Sequence, residues 1–410
     1  MLMNKVALIG AGMTRFHHAL HKDKSSRELF VEAFLECLDS VDKGISHKDI
    51  DALFISATAS EFFEHQSHTA CLLSDWTGLN PIPATRIEAA CASSSAALEI
   101  GVFAIASGMY DIVLVGGVEK MTTLEVDEMT YALMSGLDHP YECILGVSNP
   151  GLYAMMANAY FEKYDSSWEE LTSISIKNHH NASMNPKAHF QSEIMDIAKK
   201  ISQKKGLKFD NEMDFLKSPT NPYIAYPLRL FDCSPVSDGA SAILLASSKK
   251  AKKFTDTPIY VTGLGHTSGT MSLHDRRYLT SIPASVEAGN IAYRMAKIES
   301  KDIDFAMVHD CFTPAEIIAT EDLGFFPRGE GGRAAIEGRT RINGEKPINT
   351  DGGLKAKGHP IAATGTAMSY EVWKQLRGEA DKRQVNNAEI GLIHNVGASG
   401  GTAIVQIFRR

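Results

Sequence analysis

The sequence predicts an α/β protein built from two similar halves, with a third region inserted in the first. Three observations carry this. Short β-branched runs alternate with amphipathic helical stretches in both halves, the pattern of mainly parallel strands joined by crossover helices. Two segments of the first half recur in the second: 6–12 is echoed by 259–265, and Lys48-Asp-Ile-Asp51-Ala-Leu-Phe-Ile55 by Lys301-Asp-Ile-Asp304-Phe-Ala-Met-Val308, each 253 residues further on. Between the halves, residues 121–229 are rich in methionine and helical patterning and have no counterpart.

Taken in order, Val6-Ala-Leu-Ile-Gly10-Ala-Gly12 reads as a strand and a turn. It does not form a dinucleotide cradle, because Arg15 stands where the third glycine belongs. Residues 92–107 are apolar on nearly every face, so a buried helix is expected there. The apolar segments near Cys91 and at 111–118 leave edges and helices that need cover, which points to an oligomer. The insertion carries helices near 150–164 and 168–182, then a lysine-rich stretch with Lys199, Lys200, Lys204, Lys205, Lys208 and Lys217. Such a run is ordinarily a solvated face; the functional reading is a patch for ligand phosphates. The turn at Asp238-Gly239 leads into an apolar strand that returns to the first half. A looser echo, offset by 270 residues, relates helices 94–108 and 364–378.

Composition narrows the function. With 410 residues, two or three domains are expected at roughly 150 residues each. A net charge of −8 argues against a general nucleic-acid binder. Cysteines 37, 71, 91, 143, 233 and 311 form no CxxC pair and no zinc spacing. His179-His180 point to different helix faces and, with His189, lack an acidic or cysteine partner at ligand spacing, so no metal is expected. The apolar run near the N-terminus is too short for a secretory signal, and no stretch is long enough to span a bilayer. A cytoplasmic enzyme with reduced thiols is the expectation.

Three segments carry the chemistry. Cys91 stands in Glu88-Ala-Ala-Cys91-Ala-Ser-Ser-Ser at the start of the apolar helix, where free N–H groups and the helix dipole favour thiolate over thiol. Val308-His309-Asp310-Cys311-Phe312 ends an apolar run. Strand alternation would turn His309 and Cys311 to one side and Asp310 to the other, into structural bonds. In Gly358-His359-Pro360 the proline restricts the backbone around one histidine, as suits a catalytic base.

Together these motifs resemble the thiolase family, in the branch related to the sterol-carrier-protein thiolases that carries His-Asp-Cys-Phe, over essentially 6–408. Within it the chain resembles archaeal acetyl-CoA acetyltransferases. The resemblance implies two βαβαβαββ halves in a five-layered α-β-α-β-α stack. Residues 1–120 plus 230–255 would be the first half, 121–229 a CoA-binding loop domain and 256–410 the second half. It implies Cys91 as nucleophile, His359 as its base, and Cys311 as the carbon acid/base, with His309 and His359 holding the enolate. The N–H groups of Cys91 and Gly397 would form the oxyanion hole, Asn395 would support it, and Ser234 would lie near the pantetheine arm. Asn395 stands where many thiolases have a second cysteine, and the branch gives that role to Cys311. Ser94 replaces a common glycine.

The implied reaction is Claisen condensation of two acetyl-CoA, with coenzyme A as substrate and no permanent cofactor. It would feed the mevalonate route to isoprenoids. A homodimer or homotetramer is implied, and association with hydroxymethylglutaryl-CoA synthase through a small zinc-ribbon/OB-fold protein. The alternatives are a degradative 3-ketoacyl-CoA thiolase of broader chain length, a decarboxylating ketoacyl synthase, a retro-aldol lyase of the same fold, or an acyl-CoA-binding scaffold. Neither the synthase nor the scaffold has a chemical need for both thiols.

Overall fold

The computed structural model describes residues 6–410. The first residues of the segment read as carrying no secretory signal lie outside the described residues. The first half holds strands β1 (Val6–Met13), β2 (Ala52–Ser56), β3 (Ala84–Arg86) and β4 (Ile112–Glu119). The insertion contributes a small hairpin, β5 (Tyr223–Ala225) and β6 (Leu228–Arg229). β7 (Gly239–Ser247) returns to the first half, and β8 (Ile259–Ser268), β9 (Phe305–Val308), β10 (Ile390–Gly397) and β11 (Thr402–Arg409) build the second.

Both halves obey one plan. The sheet order is β3-β2-β4-β7-β1-β8-β11-β10-β9. Read outward from the centre, β1-β7-β4-β2 in one half corresponds to β8-β11-β10-β9 in the other. The counterpart of β3 is reduced to a single parallel bridge, Ala306 to Ile348. The echoed segments fold alike: 6–12 and 259–265 lie in β1 and β8, and the pair at 48–55 and 301–308 forms a 3-10 turn followed by β2 or β9.

The strands are not mainly parallel as predicted. β2 pairs in parallel with β3 and β4, and β9 with β10, whereas β1/β7, β4/β7, β10/β11, β11/β8 and β1/β8 are antiparallel. β11 follows β10 through a tight turn and β7 returns only after the long insertion, and each wedges in reverse beside the first strand of its half. Periodicity reveals a strand but not its direction.

Among the described residues the half-sheets meet through two residue pairs, Ala7–Tyr260 and Leu8–Ile259. Between them, the helices Ser93–Ala106 and Thr364–Arg377 pack on each other and on strands of both halves. Helix Ser26–Asp39 covers the outer face of the first half and Pro283–Ala296 that of the second. Close packing explains the glycines once open to a nucleotide reading. A Cβ on Gly12 would lie 2.2 Å from the Ala33 carbonyl oxygen, so its bareness seats the outer helix on β1.

Two surface expectations need correction. β4, the predicted 111–118 segment, is buried and paired on both sides, so it leaves no edge; the outer strand of that half is β3. The helix after Cys91 is also not wholly buried, because Ile100 and Phe103 are 40% and 45% exposed. Apolarity all round a helix does not say which stripe meets its own chain.

In the insertion, helices Asn149–Tyr164 and Trp168–Ser183 appear where expected. The second is tied to the C-terminal half by buried bonds: Lys177 pairs with Glu316 at 2.9 Å, and Asn178 donates to Asp310 at 2.7 Å. The lysines of helix Ile194–Lys205 face solvent. No helix among the described residues is long and apolar enough to cross a membrane.

Candidate active site

The two central helices point their N-termini at each other. A Cβ on Gly365 would lie 2.2 Å from the Ser95 hydroxyl oxygen, so the second helix starts flush against the first. The residues that precede these starts, Cys91 and His359, are therefore brought together from different halves. Ser94, the departure from the common glycine, accepts the Thr366 N–H at 3.1 Å and so bonds across this junction.

Cys91 sits two residues before its helix, on a turn in which Ala90 takes a left-handed φ of 48°. Such a φ is strained for a residue with a Cβ. Hydrogen bonds hold it there: Ser93 donates to the Ala90 carbonyl at 2.5 Å and accepts the Ala89 N–H at 2.8 Å, and Thr58 donates to the same carbonyl at 3.3 Å. The residue as a whole is half-buried.

One ligand-capable atom each of Cys91, His309 and His359 lie within 4.8 Å of one another. The imidazoles of His309 and His359 meet edge to face, with centroids 5.2 Å apart. His359 is fixed by an Nδ1 bond to the Thr364 hydroxyl at 2.7 Å. His309 is fixed by Nδ1 to the Asn395 side-chain oxygen at 2.8 Å, and Asn395 in turn donates to Ser95 at 3.2 Å. Asn395 accepting at Nδ1 puts the His309 proton there, which leaves Nε2 as its free atom; that atom is buried with no protein partner.

Asp310 turns away from this cluster, as alternation predicted. Its carboxyl accepts the Leu354 and Lys355 N–H groups at 2.7 and 3.3 Å. It therefore braces the short helix Gly353–Lys357 that delivers Gly358-His359. Gly358 adopts φ 111°, which favours glycine, and its pro-Cβ direction runs into the Ser237 hydroxyl at 2.7 Å.

Cys311 is buried, next to Cys91 electrostatically, and beside the phenol of Tyr153. Tyr153 comes from the insertion helix Asn149–Tyr164, packs on Phe312 at 4.9 Å, and donates to the Ala398 carbonyl at 3.1 Å. Sequence reasoning missed it, because a tyrosine within a helix of no marked periodicity carries no signal. Ser234 donates its N–H to the Cys311 carbonyl at 2.9 Å, which brings the predicted pantetheine residue beside this cysteine. The backbone N–H that reaches the Cys91 sulfur belongs to Ala398, the neighbour of the predicted Gly397.

The expectation of a resident thiolate is overturned. Burial pushes the Cys91 thiol up to about 12, against the help of the Ala398 and Cys91 N–H groups. Cys311 is also pushed up, by burial and then by Cys91. The helix-start contribution falls short because desolvation of a sulfur anion is the larger effect. Burial lowers His309 to about 4 and holds His359 well below its ordinary value, with His309 and Lys357 adding to the latter. The resting pair is neutral imidazole and thiol. Such a pair can transfer a proton when a carbonyl approaches the sulfur.

A second cluster escaped the sequence: His17 and His18 lie beside His189. His18 Nδ1 and His189 Nε2 share a hydrogen bond of 3.0 Å, His189 Nδ1 bonds Ser237 at 2.9 Å, and His17 Nδ1 accepts the Ala19 N–H at 2.9 Å. These bonds engage both ring nitrogens of His189 and Nδ1 of His17 and His18 with protein partners. His179 is buried and His180 exposed, so the adjacent pair diverges as expected.

Comparison with known proteins agrees with this architecture. The description "Thiolase, N-terminal domain" matches residues 6–249 and "Thiolase C-terminal domain-like" matches 265–410. An acetyl-CoA acetyltransferase of Methanothermobacter thermautotrophicus is 46% identical over 100% of both chains, and one of Methanocaldococcus jannaschii is 41% identical over 99% of both. Sterol carrier protein 2 of Bos taurus is 30% identical over 100% of this chain and 73% of its own. Two solved structures share the fold. The Ltp2-ChsH2(DUF35) aldolase has a TM-score of 0.81 at 22% identity, covering 99% of this chain and 98% of the other. Human mitochondrial 3-ketoacyl-CoA thiolase in complex with CoA has a TM-score of 0.72 at 18% identity, covering 100% and 98%. The match runs through both halves and through full-length relatives, and with it the chain belongs to the thiolase family and is an acyltransferase.

Proposed function

We propose that this thiolase is an acetyl-CoA C-acetyltransferase, which joins two acetyl-CoA into acetoacetyl-CoA and free coenzyme A and runs the reverse thiolysis through the same groups. The observation that carries the reading is the convergence of Cys91 and His359, from different halves, with His309 and Cys311 around one space. The two archaeal relatives named for this activity support the choice of acyl group.

In the first step His359 takes the Cys91 proton as the sulfur attacks the thioester carbonyl. The oxyanion is received by backbone N–H groups at Cys91 and the Gly397-Ala398 turn. The C–S bond to coenzyme A breaks, its thiolate takes the proton from His359, and acetyl-Cys91 remains. In the second step Cys311 gives its thiol proton to the free Nε2 of His309, and the resulting thiolate removes a methyl proton from another acetyl-CoA. The carbon acid is weak, and the burial that raises Cys311 makes its thiolate a correspondingly strong base. The enolate oxygen rests on the proton that His309 has gained at Nε2, with His359 beside it. The enolate carbon attacks acetyl-Cys91, the Cys91 thiolate leaves and takes the Nε2 proton of His309, and Cys311 keeps the methyl proton, which restores both thiols and both neutral imidazoles.

Coenzyme A enters past Ser234 and the insertion on this reading. Acyl length is limited by the Tyr153 and Phe312 rings beside Cys311. The protein works in the cytoplasm, where its cysteines stay reduced. It assembles as a homodimer or homotetramer, which the exposed Ile100 and Phe103 and the outer strand β3 support; sedimentation should give no monomer at micromolar concentration, and a monomer would remove this part of the reading. The condensation is uphill, so a consuming enzyme is needed. A hydroxymethylglutaryl-CoA synthase of a mevalonate route, docked through a small scaffold protein, fills that role. The DUF35 named in the aldolase's title lends support to such a scaffold.

The reading is tested with free coenzyme A and a series of 3-ketoacyl-CoA substrates. Cleavage should be fastest for acetoacetyl-CoA. A preference for long chains would replace it with a degradative thiolase, and no cleavage of any would remove it.

A further inference from the structure

One buried acid touches both catalytic turns and has no part in the steps above. Glu119 ends β4 and is 1% exposed. Its Oε2 accepts the Thr58 N–H at 3.0 Å and the Ala362 N–H at 3.2 Å, and its Oε1 accepts the Ala59 N–H at 3.3 Å. Thr58 also holds the strained turn before Cys91, through the Ala90 carbonyl and the Ser93 hydroxyl at 3.3 and 3.2 Å. Ala362 lies three residues after His359, in the other half of the molecule. The two halves approach closely here: a Cβ on Gly117 would lie 2.0 Å from the Ala362 carbonyl oxygen. One carboxyl thus ties the cysteine turn to the histidine turn.

We propose that Glu119 is a positioning residue that clamps the Cys91 and His359 turns in register and, by its charge, holds Cys91 as thiol between turnovers. The inference rests on the reading of Cys91 as nucleophile. Three backbone donors aimed at one carboxyl do not arise from packing alone. A neutral amide could replace only part of this set, since its NH2 cannot accept. The charge acts on the sulfur as well. Glu119 is among the groups that raise the Cys91 thiol, after burial and alongside Glu88. Burial pushes Glu119 itself up to about 7, against the three N–H bonds. Arg86 faces it but is bound to Glu61, and Lys120 beside it is turned to Asp238 at 2.6 Å. Below about pH 7 the acid is neutral and the thiol is easier to ionise; above it, the carboxylate opposes the thiolate.

The test is the rate of iodoacetamide alkylation of the Cys91 peptide from pH 5.5 to 9.5, read by mass spectrometry. In the wild-type protein the rise with pH should flatten near pH 7. In Glu119→Gln the flattening should vanish and the rate at pH 8.5 should be several-fold higher. Glu119→Asp keeps the charge but shortens the clamp: it should keep the flattening while acetylation of Cys91 by acetyl-CoA falls about tenfold or more. A smooth wild-type profile, or one shared by wild type and Glu119→Gln, overturns the electrostatic role. Unchanged acetylation in Glu119→Asp overturns the clamp. The wild-type profile stands even if a variant fails to fold. Acetylation of wild-type Cys91, measured alongside, separates failure of this inference from failure of the nucleophile assignment.

Discussion

Cys91→Ala will form no covalent acetyl-enzyme and will lose thiolysis and condensation by on the order of 10⁴-fold or more, the scale at which removal of a nucleophile removes the whole catalytic unit. No other cysteine can substitute. Cys311 lies beside Cys91 but is buried, and it stands outside the group in which Cys91 meets His309 and His359 within 4.8 Å. Cys37, the most deeply buried of the remainder, packs under β1. Incubation with radiolabelled acetyl-CoA followed by peptide mapping should find a single labelled peptide in the wild type and none in the variant. Label retained by Cys91→Ala would assign the acyl group elsewhere and sink the mechanism at its first step.

Cys311→Ala should divide the reaction in two. The first half needs Cys91, His359 and backbone donors, none of which the substitution removes, so exchange of acetyl groups between coenzyme A and the enzyme should persist within a few-fold. The second half needs a base strong enough for a methyl group. Condensation and solvent exchange of the acetyl methyl protons should fall by about 10²–10⁴-fold, the usual scale for loss of a positioned acid/base. Deuterium uptake into acetyl-CoA, followed by NMR, measures this directly. Normal uptake in the variant would transfer the role to His309 or His359.

The reactive set was legible because each member is a rare residue type at the end of an apolar run. Cys91, His309, Cys311 and His359 stand where strands and helices stop, and the duplicated pattern implied that the stops face a common centre. Asp310 was legible for a different reason, since alternation alone turned it away from its neighbours. Polar residues that act by position were not legible. Glu119 ends an ordinary strand and Tyr153 sits in an ordinary helix, and each gains its role only from contacts across 60 or more residues; Thr364 is one hydroxyl among several, and nothing in its type marks it as the partner of His359. The Cys91 ionisation went the wrong way because a helix start can be seen in a sequence while the depth of its burial cannot. Strand direction failed similarly: β7 and β11 look like any apolar run, and only the sheet reveals that they run backward.

The head-on contact of Gly365 with Ser95 has a consequence for how this protein can change. The gap between sulfur and imidazole is set by how one half of the molecule leans on the other, not by any single loop. A substitution far out on either central helix that tilts it by a few degrees alters the chemistry without touching a reacting group. Duplication therefore left the two copies unequal but mutually indebted: one kept the sulfur, the other the histidine, and neither can drift in orientation unless its twin follows.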